Sequence, residues 1–402
     1  MQPLRILQIC NKPPVPAVDG GCLAMLRMTE GLLDAGCKIH LLSIATDKHP
    51  WHPEKADQQF IKQTSADAVY VDTRVKRLPA FLSLFKSDSH NVERFYSLGF
   101  EARLIEILSR NEFDIVQLES LYVTPYIRTI RRMSKAKIVL RAHNTESAIW
   151  RKNAAEEKSL LKRKWFNDLA GKLENHEISA LQSVDAVVPI TNEDCNRLKI
   201  LCACSKPFHT ATFAMKQTAT ETVSLIKSKT VFHIGAMDWQ PNVVGIDWFV
   251  EKVWPIVVQQ VPEASLHLAG KAMDKSMKYE GANIVVHGEV QSAKDFLASH
   301  RVMIAPLLSG GGVKVKVIEG MLAGKPIVTT RIGAEGIQFQ NGFDLFVTED
   351  EQTFADNVVK LLLDDTAASQ MSENAMKSAS ENHDLSRVTK NLCDFYRTII
   401  DA

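Results

Sequence analysis

The pattern of apolar and polar positions predicts strands that alternate with helices along the first half of the chain. Short apolar runs predict strands, and longer segments with apolar residues at helical spacing separate them. The first helix is predicted over Cys22–Ala35 and ends at Gly36. Nearly continuous apolar strands between helices are typical of a parallel sheet covered on both faces. The predicted strands are Leu4–Cys10, Lys38–Ala45, Ile115–Leu118, Lys137–Arg141 and Ala186–Ile190.

The second half repeats this pattern after a segment, roughly residues 201–229, in which apolar periodicity fades. Helices are predicted over Trp248–Gln259 and Leu385–Ile400. The predicted strands are Thr230–Ile234, Ser265–Ala269, Asn283–His287, Val302–Leu307, Ile327–Thr330 and Leu345–Thr348. For a chain of 402 residues we therefore expect two doubly wound α/β domains, residues 1–205 and 225–384. They are expected to face each other across a cleft, where open α/β sheets bind ligands.

One strand–loop–helix segment has the pattern of an anion site. The apolar strand Met303–Leu308 runs into a serine and three glycines, and apolar residues then recur at helical spacing. A glycine loop before a helix presents backbone N–H groups and the positive end of the helix dipole, which suits phosphate. Lys316 adds positive charge. The residues assigned to this anion site are Ser309, Gly310, Gly311, Gly312, Val313 and Lys314.

A carboxylate in the same helix, Glu319, disfavours phosphate and so indicates a different ligand group. Its oxygens can accept hydrogen bonds from sugar hydroxyls, and phosphate beside a polyol indicates a nucleotide-sugar. A flexible glycine turn beside a solvated helix face explains the same residues without any ligand. The loop is not a P-loop, because no Gly-Lys-Ser/Thr follows the glycines.

Composition excludes some classes of function. The formal net charge of +1 gives no electrostatic case for nucleic-acid binding. The seven cysteines are scattered, and Cys202 and Cys204 have no second pair at zinc spacing, so we expect seven reduced thiols and no metal site. No apolar run approaches about 18 residues, and the first strand begins at Leu4, which leaves no room for a signal peptide. We expect a cytoplasmic protein.

The segment from Met303 to Gly336 resembles the donor-site signature of family-four glycosyltransferases of GT-B fold. The run EGMLAGKPIV, residues 319–328, is its most specific part, and the resemblance extends over nearly all of the chain. It implies a retaining transfer from a nucleotide-diphosphate sugar, with UDP-sugar as the preferred donor and neither cofactor nor obligatory metal. It places Lys316 at the leaving diphosphate and Glu319 at the ribose hydroxyls, and it implies that the last helix, residues 385–402, crosses back onto the first domain.

The loop of residues 11–21 follows the first strand, and Gly20 and Gly21 would let its backbone approach a ligand closely. The Gly-x-Gly-x-x-Gly fingerprint is absent, which counts against an NAD-dependent enzyme. From the residues alone, a proline-stiffened surface loop is the simpler interpretation. The family resemblance instead places the Gly-Gly pair against the donor diphosphate and the acceptor.

A histidine and two glutamates complete the candidates in the first domain. His143, just after a strand, can donate a hydrogen bond or move a proton, or it can be structural. The run from Arg141 resembles the His-Asn-x-Glu motif of a subgroup of this family, which implies that His143 lies beside the donor sugar, with Glu146 nearby. Glu177 aligns with a glutamate that recurs in the family, and a structural role in domain contact is as open as a catalytic one.

The sequence departs from the family pattern at three positions. Many relatives grip the diphosphate with an Arg and a Lys, where this chain has Ala236 and Asn242, and many have a glutamate in place of Gly311. The phosphate charge must then be met by Lys314, Lys316 or the loop amides. A related subgroup carries the same Met-x-Trp-x-Pro-Asn pattern, so the departure does not indicate an inactive protein, and Asn242 is assigned to donor binding.

Two basic segments indicate a peripheral membrane contact. Residues 75–86 mix bulky apolar side chains with Lys76, Arg77 and Lys86, and a second cluster comprises Arg128, Arg131 and Arg132. Both could lie on the anionic inner face of a membrane, beside a lipid-linked acceptor. An amphipathic helix packed on its own domain explains the first segment equally well.

These observations predict a glycosyltransferase that acts on a glycan or lipid-linked acceptor in polysaccharide or glycoconjugate synthesis. His143, Lys316 and Glu319 are the predicted catalytic residues. A nucleotide-sugar epimerase or hydrolase of the same fold would instead need a carboxylate pair at the sugar. A non-catalytic sugar-nucleotide-binding partner is the second alternative, because the missing Arg, Lys and Glu weaken the catalytic interpretation. Neither base, sugar nor acceptor follows from the residues.

Overall fold

The computed structural model describes residues 2–74, 90–216, 226–274, 279 and 283–402. The chain divides into two compact units, here called unit 1 (Met1–Ala214 with Leu385–Ala402) and unit 2 (Met215–Asp384). The basic segment 75–86, predicted as a membrane contact, lies outside the described residues.

In the described part of unit 1, six parallel strands form one sheet in the order β3-β2-β1-β4-β5-β6. Ile9 of the central strand lies beside Leu42 on one side and Leu118 on the other. The strands are β1 (Arg5–Cys10), β2 (Lys38–Ala45), β3 (Asp67–Tyr70), β4 (Ile115–Glu119), β5 (Lys137–Ala142) and β6 (Ala186–Pro189). This order is that of a doubly wound α/β fold.

Helices connect these strands and cover both faces of the sheet. They are α1 (Gly20–Asp34), α2 (Gln58–Thr64), α3 (His90–Glu93), α4 (Leu98–Arg110), α5 (Ile127–Met133), α6 (Glu146–Glu156), α7 (Leu160–Ser183), α8 (Asn192–Cys202) and, from the end of the chain, α15 (Leu385–Asp401). Ile6 and Leu7 point to opposite faces of β1 and are both fully buried, as coverage of both faces requires. Helix α15 packs on α1 at Gly31, where an added Cβ would lie 2.4 Å from Thr389.

Unit 2 repeats this architecture. Its described residues contain a sheet of six parallel strands in the order β12-β11-β10-β7-β8-β9. The strands are β7 (Thr230–Ile234), β8 (Ser265–Ala269), β9 (Ile284–Gly288), β10 (Val302–Ala305), β11 (Ile327–Thr329) and β12 (Phe346–Val347). The helices are α9 (Gln240–Trp248), α10 (Trp254–Gln260), α11 (Ala293–Ser299), α12 (Val315–Leu322), α13 (Glu351–Leu363) and α14 (Asp365–His383). The predicted fold class, two doubly wound parallel sheets, is confirmed.

Two elements differ from prediction for identifiable reasons. Strand β3 was not predicted, because it is a half-exposed edge strand and lacks a continuous apolar run. The helix predicted over Trp248–Gln259 is divided by a π-helical turn at Phe249–Val253. Pro255 follows this turn and has no backbone N–H to continue the regular hydrogen-bond ladder.

The prediction of seven reduced thiols is wrong for Cys202 and Cys204, which form a disulfide with Cα atoms 5.2 Å apart. Helix α8 ends at Cys202, and Ala203 adopts a left-handed φ of 47°, which turns the chain so that the two sulfurs meet. The other five cysteines are free and buried. Among the described residues, no helix combines the length and apolar character that crossing a bilayer requires.

Candidate functional site

Unit 2 places a buried lysine ammonium near the carboxyl end of β7. Lys316, in the first turn of α12, donates a 2.5 Å hydrogen bond to Oδ1 of Asn242, and its Nζ lies 3.4 Å from Nε2 of His233. Nδ1 of His233 bonds to the Ile304 carbonyl at 3.0 Å, so it carries the proton and Nε2 faces Lys316 with a lone pair. Burial, reinforced by the charge of Lys314, lowers the pKa of Lys316 to about 7.

Gly235 allows these groups to converge. A Cβ at this position would lie 2.8 Å from Nδ2 of Asn242, 2.8 Å from Nε2 of His233 and 2.9 Å from Nζ of Lys316. Nδ2 of Asn242 also donates a 2.7 Å hydrogen bond to the Ala236 carbonyl, so both ends of this amide have partners. Asn242, predicted to bind the donor, therefore holds Lys316 in place.

The glycine loop lies directly before α12. Gly310 and Gly312 adopt φ values of 104° and 76°, which side chains rarely tolerate. A Cβ on Gly310 would also lie 2.9 Å from the Trp239 ring. The Met-x-Trp-x-Pro-Asn segment thus contacts both parts of the predicted site, through Trp239 at the loop and Asn242 at Lys316. Ser309 and Gly311 are exposed.

Lys314 lies directly before helix α12. The helix begins at Val315, and Lys314 caps it with non-helical φ and ψ of −89° and 90°. Its ammonium bonds back to the Gly312 carbonyl at 2.5 Å and lies 3.4 Å from Glu335. The side chain is only 4% exposed. Because Lys314 precedes the helix, the helical spacing does not determine where its side chain points, and its described contacts stabilise the loop.

Glu319 follows Lys316 by three residues on α12 and therefore shares its face. The side chain is half-buried. Its carboxylate therefore lies on the side of α12 that carries Lys316.

In unit 1, Gly20 and Gly21 begin α1 rather than forming a free loop. The carboxylate of Asp19 caps this helix through a 2.8 Å hydrogen bond from the Cys22 N–H, and it pairs with Lys12 at 2.7 Å. Lys12 packs against Gly21, where a Cβ would lie 2.9 Å from its Nζ. Although burial opposes it, Lys12 and the helix cap hold the pKa of Asp19 below its usual range.

His143 bonds to a buried carboxylate that the sequence did not single out. Nε2 of His143 lies 2.6 Å from Oε2 of Glu119, which also accepts a 2.9 Å hydrogen bond from Arg141. Burial acts to raise the pKa of Glu119, but Arg141 and His143 hold it at about 2. The ionised carboxylate must accept, so Nε2 carries the proton. Burial lowers the pKa of His143, and its neutral ring keeps a lone pair on Nδ1.

Glu119 belongs to a polar network inside the sheet. Its Oε1 accepts hydrogen bonds from Gln8, at 2.8 Å, and from Gln117. Tyr396 of α15 donates to Gln117, and Thr29 of α1 lies 2.7 Å from Oε1 of Gln8. The network therefore ties the terminal helix to the group that orients His143.

Glu177 and Glu146 meet at the start of α6. Glu177 accepts hydrogen bonds from the backbone N–H of Glu146 at 2.7 Å and of Ser147 at 3.2 Å, which satisfies the helix N-terminus. Burial raises its pKa to about 7. Glu146 accepts a 2.8 Å hydrogen bond from Tyr122. These contacts give Glu177 a structural role within unit 1.

The sequence contained a signal for the network that the prediction missed. Buried polar residues interrupt otherwise apolar strands. They are Gln8 in β1, Gln117 and Glu119 in β4, and Arg141 in β5. Glu119 and Arg141 are register partners on adjacent strands, so they share a face. Buried polar groups need partners, and such interruptions could have predicted a network.

Residues 228–364, within unit 2, match the family model for glycosyl transferases group 1. A curated relative, an uncharacterized 44.6 kDa protein in the cps region of Klebsiella pneumoniae, is 24% identical over 404 aligned positions. That alignment covers 96% of this chain and 97% of the relative.

Several solved structures share the fold over the whole chain. A sucrose-phosphate synthase from Thermosynechococcus elongatus superposes with a TM-score of 0.67 at 14% identity, covering 99% of both chains. Anabaena HepE, in complex with UDP, gives 0.65 at 12% identity and covers 98% of this chain and 100% of its own. The pneumococcal O-GlcNAc transferase GtfA, with UDP and GlcNAc, gives 0.65 at 11% identity with full coverage of both. The fold is therefore GT-B, and the family match supports a glycosyltransferase.

Proposed function

We propose that the protein transfers a sugar from a nucleotide-diphosphate sugar to an acceptor hydroxyl with retention of configuration. The observation that carries this proposal is the contact of Lys316, in the first turn of the helix that follows the glycine loop, with Asn242 and His233. A cation there meets the diphosphate that the loop and helix dipole favour.

The cluster supports one interpretation of the departure from the family pattern at Asn242. A lysine at this position would supply a second cation, whereas Asn242 instead orients Lys316 by a 2.5 Å hydrogen bond. We propose that this single ammonium, held in place, meets the charge of the diphosphate. An anion bound here would raise the pKa of Lys316 above its value of about 7, so the side chain would carry its positive charge when the donor is present.

We assign Glu319 to the ribose hydroxyls and His143 to the transferred sugar. A neutral His143 ring, with Nε2–H bonded to Glu119, offers Nδ1 as an acceptor for a sugar hydroxyl. The loop backbone from Ser309 to Gly312 and the start of α1 at Gly20 and Gly21 are assigned to the diphosphate. Stabilisation of the leaving group and positioning would then account for most of the catalysis.

We propose UDP-sugar as the donor and no metal requirement for its binding. Lys316 and the helix dipole supply the positive charge, and the sequence has no Asp-x-Asp. HepE, which shares the fold, was solved with UDP-glucose and the pneumococcal enzyme with UDP. The relative in a cps region supports a place in polysaccharide synthesis, with a glycan or lipid-linked acceptor.

A lipid-linked acceptor calls for a membrane contact, and we propose a third surface beside the two basic segments predicted from the sequence. Arg131 is already paired with Asp185 at 2.8 Å. The start of α7, here called the Leu160 surface, exposes Leu160 (69%), Leu161 (83%) and Trp165 (46%). Its basic residues are all exposed: Lys158, Lys162, Arg163 and Lys164. We propose that the Leu160 surface lies on the anionic inner face of a membrane, because apolar anchors among cations suit that interface.

The alternatives make different predictions. A nucleotide-sugar hydrolase or epimerase would convert the donor without an acceptor. A non-catalytic partner would bind the nucleotide-sugar and leave it unchanged. A transferase, a hydrolase or epimerase, and a non-catalytic partner would all bind the nucleotide-sugar at the Lys316 cluster. Binding alone therefore does not distinguish them, and turnover must be measured.

The donor can be identified by incubating the full chain with an equimolar mixture of nucleotide-sugars and determining by native mass spectrometry which one is retained. We expect one UDP-sugar to be retained by the wild-type chain and by Lys294→Ala, an exposed lysine outside the cluster. We expect Lys316→Met to retain none. Retention by all three proteins would contradict the proposed site.

A further inference from the structure

Three histidines of unit 2 converge outside the donor site. His267 lies on β8, His287 on the adjacent edge strand β9, and His300 directly after α11. One ring nitrogen of each lies within 4.8 Å of the others. The register of β8 and β9 shifts by one residue at His287, which stands between the partners of Leu268 and Ala269.

The ring contacts show how closely the three histidines pack. The centroids of His267 and His300 are 4.3 Å apart, and those of His267 and His287 are 5.2 Å apart in a stacked arrangement. Phe296 lies against both His300 and His287. The Phe296 ring beside these histidines limits the directions from which a fourth ligand can approach their ring nitrogens.

The hydrogen bonds leave ring nitrogens facing one another. Nδ1 of His267 lies 2.9 Å from Nε2 of His287. Only one proton can lie between them, so at least one of these nitrogens presents a lone pair to the other. Two neutral imidazoles arranged in this way need only a tautomer change at His287 for both nitrogens to bind one cation.

The outer nitrogens of two rings are held as metal ligands commonly are. Nε2 of His267 lies 3.0 Å from the Ser265 hydroxyl, and Nδ1 of His300 lies 2.7 Å from the Phe296 carbonyl. A carbonyl can only accept, so Nδ1 of His300 carries the proton and Nε2 has the lone pair. Such a bond from the outer nitrogen to an oxygen fixes the tautomer and orientation of a ligating histidine.

We propose that His267, His287 and His300 bind a divalent transition-metal ion with a preference for imidazole, Zn²⁺ in the first instance, through Nδ1, Nε2 and Nε2 respectively. Three neutral nitrogen donors and an open fourth position for water suit this ion. The bound ion would join the edge strand β9 to β8 and to the end of α11. This inference does not depend on the donor site, because none of the three histidines is assigned to it.

The protonation states agree with this geometry. Burial, with repulsion from the neighbouring histidines, lowers the pKa of His267 to about 4. Burial also lowers the pKa of His300. The rings of His267 and His300 are therefore neutral near pH 7, as metal binding requires. The ammonium of Lys325 bonds to the His300 carbonyl at 3.0 Å, and burial lowers the pKa of that lysine to about 8, so its positive charge declines only above that pH.

The test uses the full chain without a polyhistidine tag, treated with EDTA, exchanged into buffer and titrated with Zn²⁺ alone. We expect one Zn²⁺ per chain by elemental mass spectrometry, and visible absorption of a four-coordinate ion when Co²⁺ replaces it. His287→Gln should lower the affinity at least about tenfold. His52→Gln, a partly exposed histidine of unit 1, is the matched control and should bind as the wild type does.

A second metal-competent group, Asp19, Cys22 and His49 of unit 1, makes the test sharper. If His49→Gln abolishes Zn²⁺ binding while His287→Gln does not, the ion belongs to that group and the proposal is wrong. Equal binding by His287→Gln and the wild type, or no binding at all, overturns it as well. If His287→Gln fails to fold, ¹⁵N shifts of the wild-type ring nitrogens decide. Zn²⁺ must then move those of His267, His287 and His300 and leave that of His52 unchanged.

Discussion

The ammonium of Lys316 donates a 2.5 Å hydrogen bond to Oδ1 of Asn242. The amide of Asn242 spans Lys316 and the Ala236 carbonyl, because its Nδ2 donates to that carbonyl. In the proposed donor site we therefore expect Asn242 to fix the orientation of a single cation, Lys316.

Lys316→Met should weaken UDP binding and turnover at least about tenfold, because it removes the charge-assisted contact to the diphosphate. Lys314→Met should affect turnover less but lower the melting temperature, since this buried side chain bonds to the Gly312 carbonyl and contacts Glu335. Steady-state kinetics with differential scanning calorimetry separate the two effects. A larger loss of turnover in Lys314→Met would show that Lys314 meets the diphosphate.

Donor binding should take up a proton above neutral pH. The pKa of Lys316 is about 7, so its amine is mostly neutral near pH 8, and the bound diphosphate should raise that pKa and draw a proton from solvent. Calorimetry of UDP binding in HEPES and in Tris, whose ionisation enthalpies differ, measures this uptake. We expect uptake near pH 8, little near pH 6, and none in Lys316→Arg. Equal binding enthalpies in both buffers near pH 8 would contradict the assignment.

Glu319→Ala should weaken nucleotide binding without unfolding unit 2, because Glu319 is half-buried on α12 and is assigned to the ribose hydroxyls. A lost charged hydrogen bond costs about 1.5–3 kcal/mol, which is about tenfold to a hundredfold in Kd. Calorimetry with UDP measures the change, and Glu373→Ala, an exposed glutamate on α14, is the control. Unchanged UDP affinity in Glu319→Ala would show that another residue contacts the ribose hydroxyls.

Glu119→Gln should destabilise unit 1 by about 3–5 kcal/mol near pH 7, since it leaves Arg141 buried without its counter-charge. The pKa of Glu119 falls from 4.5 to about 2 on folding, so its contribution is fully present above pH 4.5 and is lost as the pH falls towards 2. Urea unfolding should therefore show the difference between variant and wild type shrinking in acid. Glu112→Gln, 88% exposed, should behave as the wild type does. A difference that stays constant with pH would exclude Glu119 as the ionised partner.

The Leu160 surface should bind anionic vesicles. Leu160→Ser with Leu161→Ser should reduce co-sedimentation with vesicles that contain phosphatidylserine or phosphatidylglycerol, whereas Ile200→Ser, 81% exposed in the same unit, should not. High salt should weaken wild-type binding, because the cations of this surface contribute through screened attraction. Equal vesicle binding by both variants would show that the Leu160 surface is not the membrane contact.

The fold could be predicted from the sequence because central parallel strands must be apolar on both faces. Such runs as Val302–Ala305 stand out against helical periodicity. The edge strand Asp67–Tyr70 could not be predicted in this way, since it is half-exposed. The disulfide between Cys202 and Cys204 depends on the backbone of Ala203, which apolar periodicity does not report.

The candidate site could be predicted only in part, for a similar reason. Glycines before a helix and the spacing of Lys316 and Glu319 are local features that the sequence displays. The partners of Lys316, Asn242 and His233, lie 74 and 83 positions away in the sequence. The partner of His143, Glu119, lies on another strand. Such contacts depend on strand order and register. The direction of the Lys314 side chain does not follow from helical spacing either, because this residue precedes the helix and its backbone is not helical.

The most direct test of the account is acceptor-dependent release of UDP, measured in EDTA with the donor identified by mass spectrometry. Wild-type chain, given that donor and an acceptor fraction from lipid or glycan extracts, should release UDP and form a glycosylated product with retained configuration. Lys316→Met should release little, and omission of the acceptor should abolish release. Release without acceptor would indicate a hydrolase, and binding without release a non-catalytic partner. Release that EDTA abolishes and manganese restores would contradict a metal-free donor site.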